Sequence, residues 1–193
     1  MSDEELYHRF AQGEERAFRL LLDRHGDKVL GYLTRFFGDR ELATDLTQDV
    51  FMRVISAARR FRGDSSFTTF LFRIVRNLCV DVMRARAARP DTHAASLDQG
   101  HDPDDRPLSE TVPGREPDGE HRILSGELSQ AIKEGLAGLP VEQREVFLMR
   151  EVEGLKFGQI AEVLSVNENT VKSRMHYAVV SLRRTLTAFK EER

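Results

Sequence analysis

The reading of the fold turns on Phe157-Gly158-Gln159-Ile160-Ala161-Glu162-Val163-Leu164, followed by Ser165-Val166-Asn167-Glu168 and then Asn169-Thr170-Val171-Lys172-Ser173-Arg174-Met175-His176. In the first segment apolar Phe157, Ile160, Ala161 and Leu164 recur at helical spacing; after a short polar turn, Val171, Met175, Ala178 and Leu182 do the same. Two helices joined in this way make a helix-turn-helix pattern. The outer face of the second carries Lys172, Ser173, His176 and Tyr177, with Arg183 and Arg184 further along, which suits a helix laid in a DNA major groove. A plain helical hairpin with a basic second helix has the same local pattern, so the flanking sequence has to separate the two.

Upstream lies Leu139-Pro140-Val141-Glu142-Gln143-Arg144-Glu145-Val146-Phe147-Leu148-Met149-Arg150-Glu151-Val152-Glu153-Gly154-Leu155. Pro140 fits a helix's first turn, Val146, Phe147 and Met149 give an apolar face, and Gly154 can end the helix in a left-handed conformation. A compact helical module is expected. Between Pro90 and Glu120 the character changes: Pro90, Pro103, Pro107, Pro113 and Pro117, five of the chain's six prolines, interrupt a polar, acidic stretch. Too few apolar residues remain there to offset the entropy of ordering it, so it reads as a flexible linker.

Ahead of the linker, Leu6 and Phe10, then Ala17, Phe18, Leu21 and Leu22, predict two short helices parted near Gly13. A longer helix is expected from about Asp27 to Phe37, broken by Gly38-Asp39, and another from Glu41 to Ala58 with Leu42, Leu46, Val50, Phe51 and Val54 at helical spacing. After Arg62-Gly63-Asp64-Ser65-Ser66 a last helix is expected from about Thr68 to Arg86. Glu41, Asp45 and Asp49 are four apart and stack on one helix face beside Gln48, forming an acidic strip. The segment from Arg59 to Arg86 combines arginines, among them Arg62, Arg73 and Arg76, with Phe61, Phe67, Phe70 and Phe72; such a set can neutralise phosphates and receive an unstacked base.

These residues resemble a known family. Leu-Pro, Gln-Arg, Val-Phe, Arg-Glu, Glu-Gly-Leu, Ile-Ala-Glu and Thr-Val-Lys-Ser-Arg, in that order from Leu139 to Leu186, look like region 4 of the extracytoplasmic-function sigma factors of bacterial RNA polymerase. Asp45-Leu46-Thr47-Gln48-Asp49-Val50-Phe51 and the run from Phe61 to Asn77 look like sigma region 2. The resemblance implies an all-α chain of two small helical domains on a flexible acidic linker: region 2 in residues 1–88, the linker in 89–121 and region 4 in 122–193. It implies docking of Asp45, Gln48, Asp49 and Phe51 on core RNA polymerase, through the clamp helices of its largest subunit. Arg62, Asp64, Ser65, Ser66, Phe67, Arg73, Arg76 and Asn77 would bind and open the minus-ten promoter element, with a flipped base held in the loop. Asn169, Thr170, Lys172, Ser173, Arg174, His176 and Tyr177 would read the minus-thirty-five element. A cognate anti-sigma factor is the family's usual regulator, and in the family the linker threads toward the RNA exit path; a solubilising tether fits the acidic composition of this linker equally well.

Three positions depart from the family's pattern. Ser165 stands where the turn usually has glycine, which is tolerable if it is not held at positive φ; Tyr177 stands where many relatives have arginine; and Phe70 replaces a common tryptophan, in a chain with none. Two other classes fit the helical pattern alone: a dimeric helix-turn-helix regulator and a helical interaction adaptor. The acidic strip separates the sigma reading from the repressor, which needs no polymerase contact.

Composition bounds the rest. The 193 residues, 40% hydrophobic, suffice for one or two small cores, and a net charge of −3 means that a basic DNA surface is local and offset elsewhere. A single cysteine, Cys79, excludes an internal disulfide and a cysteine-cluster zinc site. Asp23, His25 and Asp27 lack a partner cluster for a metal, and no phosphate-cradling glycine loop or nucleophile elbow is present, so no enzyme, cofactor or metal is expected. With an acidic amino terminus and no apolar run of membrane-spanning length, a cytoplasmic protein without membrane insertion is expected.

Overall fold

The computed structural model describes residues 1–58, 61, 63, 65–88 and 129–191, with side chains to residue 188. The expected linker, 89–121, and two expected minus-ten residues, Arg62 and Asp64, lie outside the described residues. Among the described residues the regular structure is helical.

Helix α1 (Asp3–Ala11) opens with a reciprocal cap: Ser2 Oγ accepts from Glu5 N at 3.2 Å while Glu5 Oε2 accepts from Ser2 N at 2.8 Å. Helix α2 is a single element, Glu15–Phe37, where two helices were expected to meet around Asp27. Gly26 costs only about 1 kcal/mol against alanine, and Leu21, Val29, Tyr32, Leu33 and Phe36 keep one buried face across it. Buried His25 adds to this continuity, its Nε2 lying 2.7 Å from Asp3 Oδ2. Gly38, left-handed at φ 70°, ends α2, and Asp39 Oδ1 accepts from Leu42 N at 2.9 Å to start α3 (Arg40–Ala57). Helix α4 (Phe67–Ala87) is capped by Ser66 Oγ, which accepts from Thr69 N at 3.2 Å.

Tyr7 lies at the centre of an aromatic cluster in the amino-terminal unit, its ring within 6.3 Å of those of Phe10, Phe61, Phe67 and Phe70. Its hydroxyl donates to Val54 O at 2.6 Å, so the one polar atom of this buried ring is satisfied.

The described part of α5 covers 129–137. After Pro140 comes α6 (Val141–Phe147), whose last turn widens into a π-helical turn, Leu148–Val152, where a plain helix up to Gly154 was expected. Glu153 N donates to Leu148 O at 3.2 Å across this turn, and Gly154 leaves it at φ 68°. Helices α7 (Phe157–Leu164) and α8 (Glu168–Glu191) form the helix-turn-helix; α8 packs on α6, with Val171, Ala178 and Leu182 buried on its inner side.

The two units share one continuous buried cluster rather than standing apart. Helix α7 lies on α4 and the π turn lies on α2. Arg144 ties the halves: Nη1 donates to Phe36 O at 2.8 Å, and Nη2 to Ala137 O at 2.6 Å and Leu139 O at 3.1 Å. Phe36 O belongs to the last turn of α2, where carbonyls lack helical partners and a cation complements the helix dipole.

Ser165 is held at φ 56°, ψ 43° between α7 and α8, so the condition under which serine would be harmless in this turn is not met. An L-residue in that region costs about 1–2 kcal/mol, partly offset by the unfolded-chain entropy glycine would bring. Ser165→Gly is expected to raise stability by about 0.5–1 kcal/mol, read as an upward shift of the thermal midpoint; no shift or a downward one would show that the serine turn is unstrained.

Candidate nucleic-acid and polymerase interfaces

Helix α3 presents two faces of opposite chemistry. Ala43, Leu46, Val50 and Val54 are buried, while Glu41, Asp45, Gln48 and Asp49 are exposed together. Phe51, expected with the docking residues, belongs to the core instead: it is 6% exposed and meets Phe18 edge-on at 6.2 Å. The helical repeat turns it toward α2 along with Val50 and Val54, so it supports the strip from behind. The apolar surface beside the strip comes from Met52, 61% exposed, and Ile55, 40% exposed. Their signal in the sequence was available, since positions 52 and 55 follow Asp45 and Asp49 at helical spacings on the outer side.

At the start of α4 the structure separates the expected minus-ten residues. Ser65 and Ser66 are half-exposed at the helix entrance, and Asn77 is exposed three turns on. Phe67 is fully buried, 5.0 Å from Tyr7 and 5.3 Å from His25 ring to ring, so it anchors the loop from inside and is not a ring offered to a base. Phe61 and Phe70, both half-buried and 5.0 Å apart, are the aromatic rings that reach the surface here. Phe70 thus belongs to the rim of the Tyr7 cluster.

Two groups unrecognised in the sequence organise this corner. Glu4 Oε1 accepts from Phe67 N at 2.8 Å, capping α4 from a distance of 63 positions in the chain. Asp3 holds α2, accepting from Arg24 Nη1 at 2.6 Å through one oxygen and facing His25 through the other. The acidic start of the chain therefore has a structural use. The Phe67 N–H keeps the Glu4 carboxyl below its ordinary value, outweighing burial. For Asp3, burial pushes upward, but the hydrogen bonds and charges of Arg24 and His25 prevail and hold it down.

Arg73 and Arg76 are half-buried and face the other unit. Arg73 Nη2 pairs with Glu162 Oε1 of α7 at 2.9 Å, Arg76 Nε stands 3.8 Å from Glu145 Oε1 of α6, and Gln159 Nε2 donates to Ser66 Oγ at 3.3 Å.

The outer face of α8 is open. Asn167 Oδ1 accepts from Thr170 N at 2.8 Å, capping the helix so that its amino end is defined. Asn169, Lys172, Ser173, His176 and Tyr177 are exposed; Thr170 and Arg174 are half-buried on its flanks. Lys172 Nζ pairs with Glu168 at 2.7 Å, an exposed contact of little energetic weight that leaves it free to exchange for phosphate. Tyr177, 61% exposed, meets His176 edge-on at 5.7 Å.

Comparison with known proteins adds independent observations. The Sigma-70 region 2 family matches residues 21–89, and the Sigma-70, region 4 family matches residues 129–182. The chain is 31% identical to the RNA polymerase sigma-H factor of Pseudomonas aeruginosa over 98% of its own length and 96% of that protein. It is 30% identical to the ECF RNA polymerase sigma-E factor of Haemophilus influenzae, covering 92% of each. Among solved structures, CnrH in complex with the cytosolic domain of CnrY aligns with a TM-score of 0.70 at 23% identity, covering 97% of this chain and 99% of that one. The sigma factor RpoE of Bartonella quintana, in complex with the anti-sigma factor NepR, aligns with a TM-score of 0.68 at 21% identity, over 88% and 96%. At these identities the two structures speak for the fold.

The cap that Glu4 places on α4 has a pH signature. With its folded-state value below the ordinary 4.5, Glu4 stabilises the native state above pH 4.5 and loses that contribution as pH falls through the folded value. Glu4→Ala is expected to cost about 1 kcal/mol at pH 7 and clearly less at pH 3.5, compared with the unaltered chain by urea denaturation at both pH values; an equal cost at both would show that the carboxylate charge does not matter to the cap.

Proposed function

The chain belongs to the extracytoplasmic-function sigma factors of RNA polymerase, and we propose that residues 1–88 dock on the polymerase and open the minus-ten element while residues 122–193 read the minus-thirty-five element. As a member of that family it is an alternative sigma factor, directing core RNA polymerase to specific promoters and initiating transcription. The observation that carries the assignment of surfaces is the outer face of α8, capped at its amino end by Asn167 and uncovered by any other helix among the described residues.

With the amino end of α8 in the major groove, Lys172, Ser173, His176 and Tyr177 meet base edges, flanked by Asn169, Thr170 and Arg174. Arg183 and Arg184 lie further along the helix, at backbone phosphates. In the amino-terminal unit, Asp45, Gln48 and Asp49, joined by Met52 and Ile55, dock on the polymerase clamp, where arginines can form charge-assisted hydrogen bonds with the carboxylates. Ser65, Ser66 and Asn77, with the rims of Phe61 and Phe70, receive an unpaired base while Arg73 and Arg76 hold phosphates; Arg62 and Asp64 complete this set from outside the described residues. Contacts made only to unpaired bases favour the melted state, so the chain works by binding energy and does no bond chemistry itself. Its polymerase partner places its work in the cytoplasm. The solved relative RpoE is paired with an anti-sigma factor, and a cognate anti-sigma factor is proposed as the regulator of this chain.

Two experiments test this division. Asp45→Lys combined with Asp49→Lys is expected to abolish co-purification with core polymerase while circular dichroism shows an intact fold; undiminished binding would remove α3 as the docking helix. For α8, binding to a randomised minus-thirty-five library at several salt concentrations separates reading from anchoring. Ser173→Ala and His176→Ala are expected to change preference at individual positions, each base contact being worth roughly 1–3 kcal/mol. Arg183→Ala is expected to weaken all sequences alike and flatten the log–log salt slope by about one unit. The reverse pattern would overturn the orientation of α8.

A further inference from the structure

We propose that the seam between the two units is a proton-operated latch: Glu145 and Glu153, both contributed by the carboxy-terminal unit, hold it closed as uncharged acids and part it as they ionise. Both carboxyls are buried where the units meet. Glu145, 4% exposed on α6, faces Tyr32 of α2, Arg76 and Cys79 of α4 and Arg174 of α8, with Glu142 on its own helix. Arg76 Nε, at 3.8 Å, is beyond hydrogen-bond reach, and that nitrogen is buried without a hydrogen-bond partner among the described residues. Glu153, at the end of the π turn, faces Lys28, Tyr32 and Arg35 of α2. Both of its oxygens, and the Tyr32 hydroxyl, are buried with no hydrogen-bond partner among the described residues.

At Glu153 an ionised carboxylate forfeits its hydration and recovers little from neighbours that do not hydrogen-bond it, and at Glu145 Arg76 Nε, at 3.8 Å, offers charge without a hydrogen bond; the neutral acid forfeits far less in both places. Burial accordingly pushes Glu145 up to about 7, with Glu142 adding to it and Arg76 and Arg174 opposing. Burial likewise pushes Glu153 up to about 7 against Lys28 and Arg35. The two act in the same direction, and parting the units returns both to water. The closed state therefore holds protons that the open state releases: closure is strongest below the ordinary value of 4.5, weakens as pH rises toward 7 and levels off above it. The bond from Arg144 to Phe36 O and the bond from Gln159 to Ser66 close the same seam without titrating in this range.

A consequence for DNA rests on the minus-ten reading proposed above. In the closed chain Ser66 accepts from Gln159, Arg73 pairs with Glu162 and Arg76 faces Glu145, so parting the seam frees all three.

Small-angle scattering of the full chain from pH 5 to pH 8, alone and with Arg144→Ala to weaken closure, reads the equilibrium as a radius of gyration. The closure constant is expected to fall on the order of 50-fold for each carboxyl between pH 5 and pH 7.5, with the radius rising accordingly. Glu145→Gln with Glu153→Gln, which stay neutral, should remain compact throughout, with circular dichroism as the folding control; Glu153→Gln alone should keep a shallower dependence. A radius independent of pH in both the unaltered and the Arg144→Ala chains, or a full pH dependence retained by the double glutamine chain, would overturn the latch. Binding of a single-stranded minus-ten oligonucleotide by the same samples separates the two ideas. Affinity rising with the radius supports both, while a radius that changes without any change in affinity leaves the latch standing and overturns the minus-ten reading.

Discussion

The guanidinium of Arg144 is the point on which the arrangement of the two units depends. One side chain collects carbonyls from the end of α2, from α5 and from the loop before α6, while lying 5.7 Å from the Phe36 ring centre. A lysine could not do this, since it lacks the planar fork that reaches several acceptors at once and stacks on a ring. Burial works against the charge and lowers the Arg144 pKa from its ordinary value. The contact is therefore a balance in which carbonyl oxygens replace water, and its direction is set by the end of α2, where unpaired carbonyls collect. With α2 and α6 fixed in this way, α7 falls on α4 and the outer face of α8 is left free.

Charge is divided between surfaces in keeping with a chain whose net charge is near zero. The exposed face of α3 is acidic, that of α8 basic and aromatic, and Arg73 and Arg76 of α4 lie between, facing carboxylates of the other unit. One protein can then meet a basic protein surface and a polyanion without either repelling the whole.

Much of this was legible in the sequence wherever the governing interaction is local. Gly38 with Asp39, Gly154 and Asn167 punctuate the helices as their chemistry requires, and the apolar faces of α3, α4, α7 and α8 follow the helical repeat. Where a distant residue intervenes, local reading falls short. The helix expected to begin near Asp27 instead runs on from Glu15, because the buried face continuing through Gly26, and Asp3 reaching His25, are tertiary facts. Phe51 and Phe67 carried family roles on a motif, but a motif does not say which way a ring points, and both point inward. Glu4 on Phe67 N, Glu162 on Arg73 and Arg144 on Phe36 O join residues far apart in sequence, which no window along the chain brings together. Ser165 was recognised as unusual, but its left-handed backbone is visible only with the turn folded.

The π turn at Leu148–Val152 amounts to one residue more than an α-helix would use over the same rise. Each residue of an α-helix advances the chain by about 100°, so that surplus residue sets the azimuth at which the chain leaves α6 for the helix-turn-helix. Relatives differing by a single insertion or deletion in this turn would carry the same outer-face side chains of α8 swung round the axis of α6. A one-residue length change here is thus a means by which promoter geometry could diverge while the amino acids of α8 stay the same.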